Sequence, residues 1–373
     1  MNFDLSDEQR ALVDTVEKFA RDAAASRASV GTPEAVSARW RLMADLGLAS
    51  LIIAEGDGGI GMTAVEVALV CEALGQSVVQ EPFISAAVVA PKLLELSSSA
   101  SIRSEYLLAI GEGRMRIALA CDEAIYEFNL ERTGIRIEER DGRLSAFGNK
   151  ELVVDGVAAT HFAVTARTDL HGFNVFVCTA DQEGVTVTPL RSLDGSWLAR
   201  VHFDGAEVSE PLFDTRSGLA AVEYALDHGV VGLCGEALGL MDRVLALTAS
   251  YLQTRQQFGK PIGTFQALQH RFAEMVVAAE QSRSATLMAV AALLGSEPEV
   301  RRRDVSAAKA LVGRNGRAVT EAAIQLHGGI GITDEYELSR YVRRMIEIDK
   351  TWGDRDHHEA AFGRTFRRRI YPA

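Results

Sequence analysis

Residues 251–275 read YLQTRQQFGKPIGTFQALQHRFAEM. Gly259 and Pro261 interrupt a helical pattern here, between Val230–Leu252 upstream and Phe265–Gly295 downstream. In the downstream segment Phe272, Met275, Val276 and Ala279 make one apolar stripe. Asp304–His327 and Glu335–Ile348 carry the same period, and helices of this length with short links predict an antiparallel bundle. Arg255 and Lys260 face into the break. A guanidinium there suits a dianionic diphosphate, because it donates two parallel hydrogen bonds to adjacent oxygens. The competing reading is a plain loop whose basic residues complement a helix macrodipole. A second segment, Gln325-Leu326-His327-Gly328-Gly329-Ile330-Gly331, packs three glycines into four residues. Its backbone N–H groups can approach an anion closely, although most such clusters are only turns.

Upstream of the bundle the period changes twice. Ser6-Asp7-Glu8-Gln9 is a helix-start signal, followed by apolar residues at Leu12, Val13, Val16, Phe19 and Ala20. Trp40, Leu42, Met43 and Leu46 begin a short helix that Gly47 ends. Gly56 to Gly61 form a mobile turn, Ala64–Ala73 is helical, and a further apolar pattern runs from Leu93 to Ile110. Near residue 113 the period falls to two. Arg116–Ala120, Gly134–Ile137, His161–Ala166, Asn174–Cys178, Val185–Thr188 and Arg200–Phe203 read as short strands, with Asp141-Gly142 and Asp155-Gly156 as turns. The fold class is therefore α+β and multidomain: an N-terminal all-α domain (1–112), a central β-barrel or sandwich (113–215) and a C-terminal four-helix bundle (216–373).

The 373 residues carry 39 Lys+Arg against 51 Asp+Glu, a net charge of −12, which argues against nucleic acid as a partner. Apolar residues at 47% and charged residues at 24% are globular values, so disorder is not the main state. Four cysteines without a CxxC pair fit a reduced cytoplasm and no structural zinc. The opening MNFDLSDEQR lacks a basic n-region, and no run of about 18 apolar residues suggests a membrane span. The expectation is a cytoplasmic enzyme without membrane or nucleic-acid partners. Adjacent His357 and His358 point about 100° apart on a helix, a poor chelate, so no metal site is expected. The tail Arg364–Arg369 is locally basic and reads as a solvated or interface-facing helix end.

In this order and on this helical background, the two glycine-containing segments resemble the acyl-CoA dehydrogenase family of flavoproteins. The likeness spans the chain: FDLSDEQRALVDTVEKFA at the start, GLASLIIAEGDGGIGM, ARVHFDGAEVSEPLF, the 251–275 signature and QLHGGIGITDEYELSRYVRR. It implies FAD held non-covalently between subunits of a tetramer. Arg255 and Phe258 would contact its diphosphate and adenine across a subunit interface, with Gln266 near the adenine. Gln325, Gly328 and Gly329 would meet the diphosphate from the neighbouring chain. It also implies α,β-dehydrogenation of an acyl-CoA thioester: a carboxylate takes the α-proton and the flavin takes the β-hydrogen as hydride.

Two departures bear on that chemistry. The family's usual Glu before Gly-Thr is replaced by Trp352, followed by Gly353 and Asp354, and the alternative base position falls at Gly229. Asp354 and Glu236 remain as candidate bases, with Asp227 behind them; the bland readings are a helix cap for Asp354 and Asp227 and a satisfied interface carboxylate for Glu236. The flavin-lining segments of the β-domain are also changed, to Ala120-Cys121-Asp122-Glu123-Ala124 and Leu152-Val153-Val154-Asp155. The GD-x-DHH ending resembles small subunits of heteromeric acyl-CoA dehydrogenases, the group of pimeloyl-CoA dehydrogenase small subunits and relatives acting on steroid side chains. The resemblance implies a homotetramer or a heterotetramer with a larger paralogous subunit, and an electron-transferring flavoprotein as acceptor. Its substrate would be a dicarboxylic, bulky or ring-bearing acyl-CoA. The alternative is a catalytically silent subunit that completes its partner's FAD site.

Overall fold

The computed structural model describes residues 4–25, 33–123, 128–131, 133–168, 172–214, 217–295 and 297–370. Ala124 and the expected boundary at 215–216 lie outside them, as do the side chains of the basic tail from residue 366. In chain order, helices α1 (Asp7–Ala25), α2 (Pro33–Asp45), α3 (Ala64–Gly75), α4 (Ala90–Leu94) and α5 (Ala100–Gly111) come first. Strands β1 (Ile117–Ala120), β2 (Arg136–Arg140), β3 (Arg143–Val154), β4 (His161–Thr168), β5 (Gly172–Thr179), β6 (Val185–Arg191) and β7 (Trp197–Val208) follow. Then come α6 (Gly218–Thr254), the short strands β8 (Gln256–Gln257) and β9 (Lys260–Pro261), α7 (Gln266–Leu293), α8 (Pro298–His327), α9 (Leu338–Lys350) and α10 (Arg355–Ile370).

The chain forms two compact units. One comprises Met1–Arg27, Ala64–Val79 and Val230–Ala373. At its start the Ser6 N–H donates to Gln9 Oε1 (3.0 Å) and the Gln9 N–H donates to Ser6 Oγ (3.1 Å), the reciprocal cap its sequence predicts. Val16 and Ala20 on the expected stripe of α1 are buried. Glycines let α3 cross α6 with backbones in contact: a Cβ on Gly75 would collide with the Glu236 carbonyl, and one on Gly239 with the Glu72 carbonyl. Only a residue without a Cβ permits that approach.

The other unit comprises Ala28–Thr63 and Gln80–Gly229. Its β-domain is a sandwich. A mixed sheet, β1-β4-β5, pairs β1 parallel to β4, and an antiparallel sheet runs β2-β3-β7-β6. Phe162, Val164 and Phe176 from the first sheet share a core with Ala146, Val201 and Phe203 from the second. Two elements exceed the sequence expectation. β3 was not anticipated, because Gly148, Asn149 and Lys150 are poor strand formers. Here Gly148 takes φ 131°, and buried Lys150 is satisfied by the Glu123 carboxylate and by Thr165 Oγ1 at 2.8 Å. α6 begins at Gly218, where the helical period resumes, and runs unbroken through Val230, so Asp227 lies inside the helix instead of capping one that starts near Val230. The Gly56–Gly61 turn is closed by backbone bonds from Gly59 to Ala54 and from Gly61 to Ile53.

Candidate functional site

The break between α6 and α7 is a two-residue hairpin. Gln256–Gln257 pairs with Lys260–Pro261, and Phe258 (φ 53°) and Gly259 (φ 77°) make the turn. Consecutive positive φ angles are the signature of a type I′ turn. The hairpin holds the Phe258 ring 91% exposed at its tip, edge-on to Phe265. Lys260 lies over the Phe265 ring at 4.6 Å. Arg255, at the root, and Gln266, the first residue of α7, are exposed. At the end of α8, Gln325 is exposed and Gly328 (φ 66°) opens a 3₁₀ turn through Ile332. Nothing lies within 4 Å of where a Cβ would stand on Gly328 or Gly329, so their backbone is open to an incoming group.

The two segments meet within one chain. Tyr251, one turn before Arg255, stacks on His327, one residue before Gly328, at 4.5 Å and 26°. His327 Nδ1 donates to the Ala323 carbonyl (2.8 Å), which leaves Nε2 to accept from the Tyr336 hydroxyl (3.1 Å). Burial holds His327 below its ordinary value, so the ring is neutral.

The segment that the resemblance places at the base position, Trp352-Gly353-Asp354, is a tight turn pinned by α8. Lys309, 1% exposed, donates to the carbonyls of Ile348 (2.6 Å), Asp349 (3.0 Å) and Gly353 (3.2 Å). Burial draws its ammonium down to about 8. Trp352 is buried at φ 54° and Gly353 takes φ 100°. His358 donates from Nε2 to the Trp352 carbonyl (3.2 Å) and accepts from Ser306 Oγ (3.3 Å); burial, then Lys309 and His357, push it to about 3. Asp354 follows the turn. It accepts from the His357 N–H (3.0 Å), capping α10, and pairs with Lys350 at 3.0 Å. Burial pushes its carboxyl up, but the His357 N–H and the Lys350 ammonium outweigh burial and hold it below the usual range.

Glu236 lies on α6, 4% exposed, gripped by Arg344 of α9 through Nε–Oε1 (2.5 Å) and Nη2–Oε2 (2.7 Å). The neighbouring Cys71 thiol is pushed well up, first by burial and then by this carboxylate. Among the described residues no contact joins Asp354 to Glu236. Gly229 and Val230 are buried in α6, and Asp227 is buried as well. In the β-domain Glu123 is committed to Lys150, and burial raises the Cys121 thiol to about 12. Sequence reasoning missed Lys309 and Arg344, and weighed His358 only as a metal ligand. Lys309 alone left a trace: a cation on the buried stripe Val305, Ala308, Val312.

Residues 6–114 match the model of the acyl-CoA dehydrogenase N-terminal domain, and residues 216–349 match that of the C-terminal domain. The chain belongs to the acyl-CoA dehydrogenase family. As an acyl-CoA dehydrogenase it is an oxidoreductase flavoprotein with FAD as cofactor, and among the described residues no helix is long and apolar enough to cross a membrane. It is 28% identical to the acyl-CoA dehydrogenase FadE27 of Mycobacterium tuberculosis over 311 residues, 81% of this chain and 80% of that one. The crystal structure of the ChsE4-ChsE5 complex from Mycobacterium tuberculosis superposes with a TM-score of 0.86 at 23% identity over all of both chains. The FAD complex of PigA gives 0.88 at 23% identity, covering 99% of this chain and 100% of that one. The chain's own residues fit FAD. An exposed Arg255, an exposed flat ring at Phe258 and the open backbone at Gly328–Gly329 supply charge, stacking and N–H groups of the kind a dinucleotide needs.

Proposed function

We propose that this chain is one subunit of a hetero-oligomeric acyl-CoA dehydrogenase acting on a dicarboxylic, bulky or ring-bearing acyl-CoA. In this reading the carboxylate that takes the α-proton lies on a larger paralogous partner. An α-proton is too weakly acidic for a carboxylate in water. The base must be desolvated so that its pKa rises, and the thioester oxygen must be hydrogen-bonded as charge develops. When bound, FAD accepts the β-hydrogen as hydride; an electron-transferring flavoprotein is the proposed acceptor.

One observation carries the proposal: the two leading candidate acids, Asp354 and Glu236, are already engaged. Asp354 is held low by a helix N–H and a lysine, the wrong direction for a base. Glu236 has both oxygens on one guanidinium. The FAD-facing parts are presented instead. Arg255 would neutralise the diphosphate, Gln325, Gly328 and Gly329 would meet it from a neighbouring chain, and Phe258 and Gln266 would border the adenine. Phe258 and Ile332, 91% and 67% exposed beside those segments, suit burial against another subunit. A purely architectural subunit is favoured by the same engaged acids. It differs in that FAD would never remain with this chain alone.

The test is anaerobic flavin bleaching with a panel of acyl-CoAs, on the chain alone and co-expressed with its paralogue, alongside the flavin-to-protein ratio. Bleaching only with the paralogue is expected, and a chain that bleaches alone would overturn the assignment of the base. Arg255→Ala should lower flavin content in the complex, whereas Asp354→Ala should leave both flavin content and bleaching near wild type. Loss of bleaching in Asp354→Ala with flavin retained would return the base to this chain.

A further inference from the structure

We infer that His327 is a positioning residue for FAD: stacked on Tyr251, it locks the Arg255–Phe258 hairpin to the Gly328–Gly331 turn, so that each chain presents both segments as one preset unit. The inference rests on the assignment of those segments to FAD and goes beyond it, because that assignment treats them as separate contacts.

The geometry leaves His327 little freedom. Its ring lies between Tyr251 at 4.5 Å and Tyr336 at 5.2 Å, and both nitrogens are bonded. A Cβ on Gly331 would stand 3.0 Å from His327 Cβ, so the turn folds back directly over the residue. Tyr251 connects to the hairpin through the backbone: the Arg255 N–H donates to the Tyr251 carbonyl (2.9 Å), and the Ile262 N–H donates to the Arg255 carbonyl (2.8 Å). Tyr336 leads into α9: Glu337, at its N-cap, pairs with Arg243 of α6 at 3.0 Å, and Tyr341 within it donates to the Gln76 carbonyl at 2.9 Å. Removing the stack therefore leaves helices held elsewhere while freeing the hairpin from the turn. FAD would then have to order two independent elements on binding, a cost that preorganisation removes.

The test is a double-mutant cycle on the FAD dissociation constant, measured by fluorescence on flavin-stripped complex well below its unfolding temperature. His327→Ala and Tyr251→Ala should each weaken FAD about tenfold, with the double variant no worse than the weaker single, as expected when two residues act through one contact. His327→Phe, which keeps a ring in the stack, should restore affinity to within about threefold of wild type. Additive losses, or an effect of both alanines below about threefold, would overturn the inference even if Arg255→Ala confirms the FAD assignment. Tyr251→Ala carries the test if His327→Ala does not fold. A wild-type complex that binds no FAD would overturn the assignment, and the inference with it.

Discussion

Replacing Arg344 by Met removes the guanidinium that grips Glu236 while keeping an unbranched side chain of similar length. Glu236 is 4% exposed, and water cannot readily replace the lost donors, because Gly75 and Gly239 bring the α3 backbone directly against this stretch of α6. Breaking a buried pair by removing one partner leaves an uncompensated charge and costs about 3–5 kcal/mol. An exposed pair in the same unit provides the contrast. Arg317–Glu321, at 66% and 60% exposure, should contribute no more than about 1 kcal/mol. Urea unfolding followed by helical circular dichroism on Arg344→Met, Arg317→Met and the double variant Glu236→Gln/Arg344→Met measures both. The double variant should recover part of the Arg344→Met deficit, because Gln in place of Glu236 removes the unpaired charge. A deficit below about 1 kcal/mol, or one equal to that of Arg317→Met, would refute the view that Glu236 is a structural partner rather than a free acid.

Two further outcomes follow from the same unit. Gly239→Ala forces a methyl group into the Glu72 carbonyl and should destabilise by about 3 kcal/mol or more, read as a drop in urea midpoint; an unchanged midpoint would mean that α3 and α6 are not packed this closely. His358 is held at about 3 against an ordinary 6.5 by burial, reinforced by Lys309, His357 and Arg302, while Ser306 and the Trp352 carbonyl bond its neutral ring. The unfolded chain therefore binds the extra proton between those values. This contribution is fully present above pH 6.5 and is lost as pH falls toward 3. His358→Asn should be less stable at neutral pH yet lose stability less steeply on acidification, and parallel slopes would refute it.

Local and periodic features were legible in the sequence. The Ser6/Gln9 cap, the apolar stripe of α1 and the break at Gly259–Pro261 depend on neighbours within a few residues, and the family's ordered motifs could be read from one end of the chain to the other. The acids near the expected base positions could be found in the same way, and so could the cap at Asp354, whose partners Lys350 and the His357 N–H lie four and three residues away. That Glu236 is paired with Arg344, 108 residues later, depends on how α6 and α9 pack. Lys150 and Lys309 misled or escaped the sequence for the same reason: a lysine reads as solvated unless distant groups happen to satisfy it. The sequence by itself determined most of the elements, β3 excepted, and which family they build, because periodicity and turn chemistry are short-range. Only the tertiary structure decided which charges are free to act, because desolvation and pairing are set by whatever surrounds a group in space.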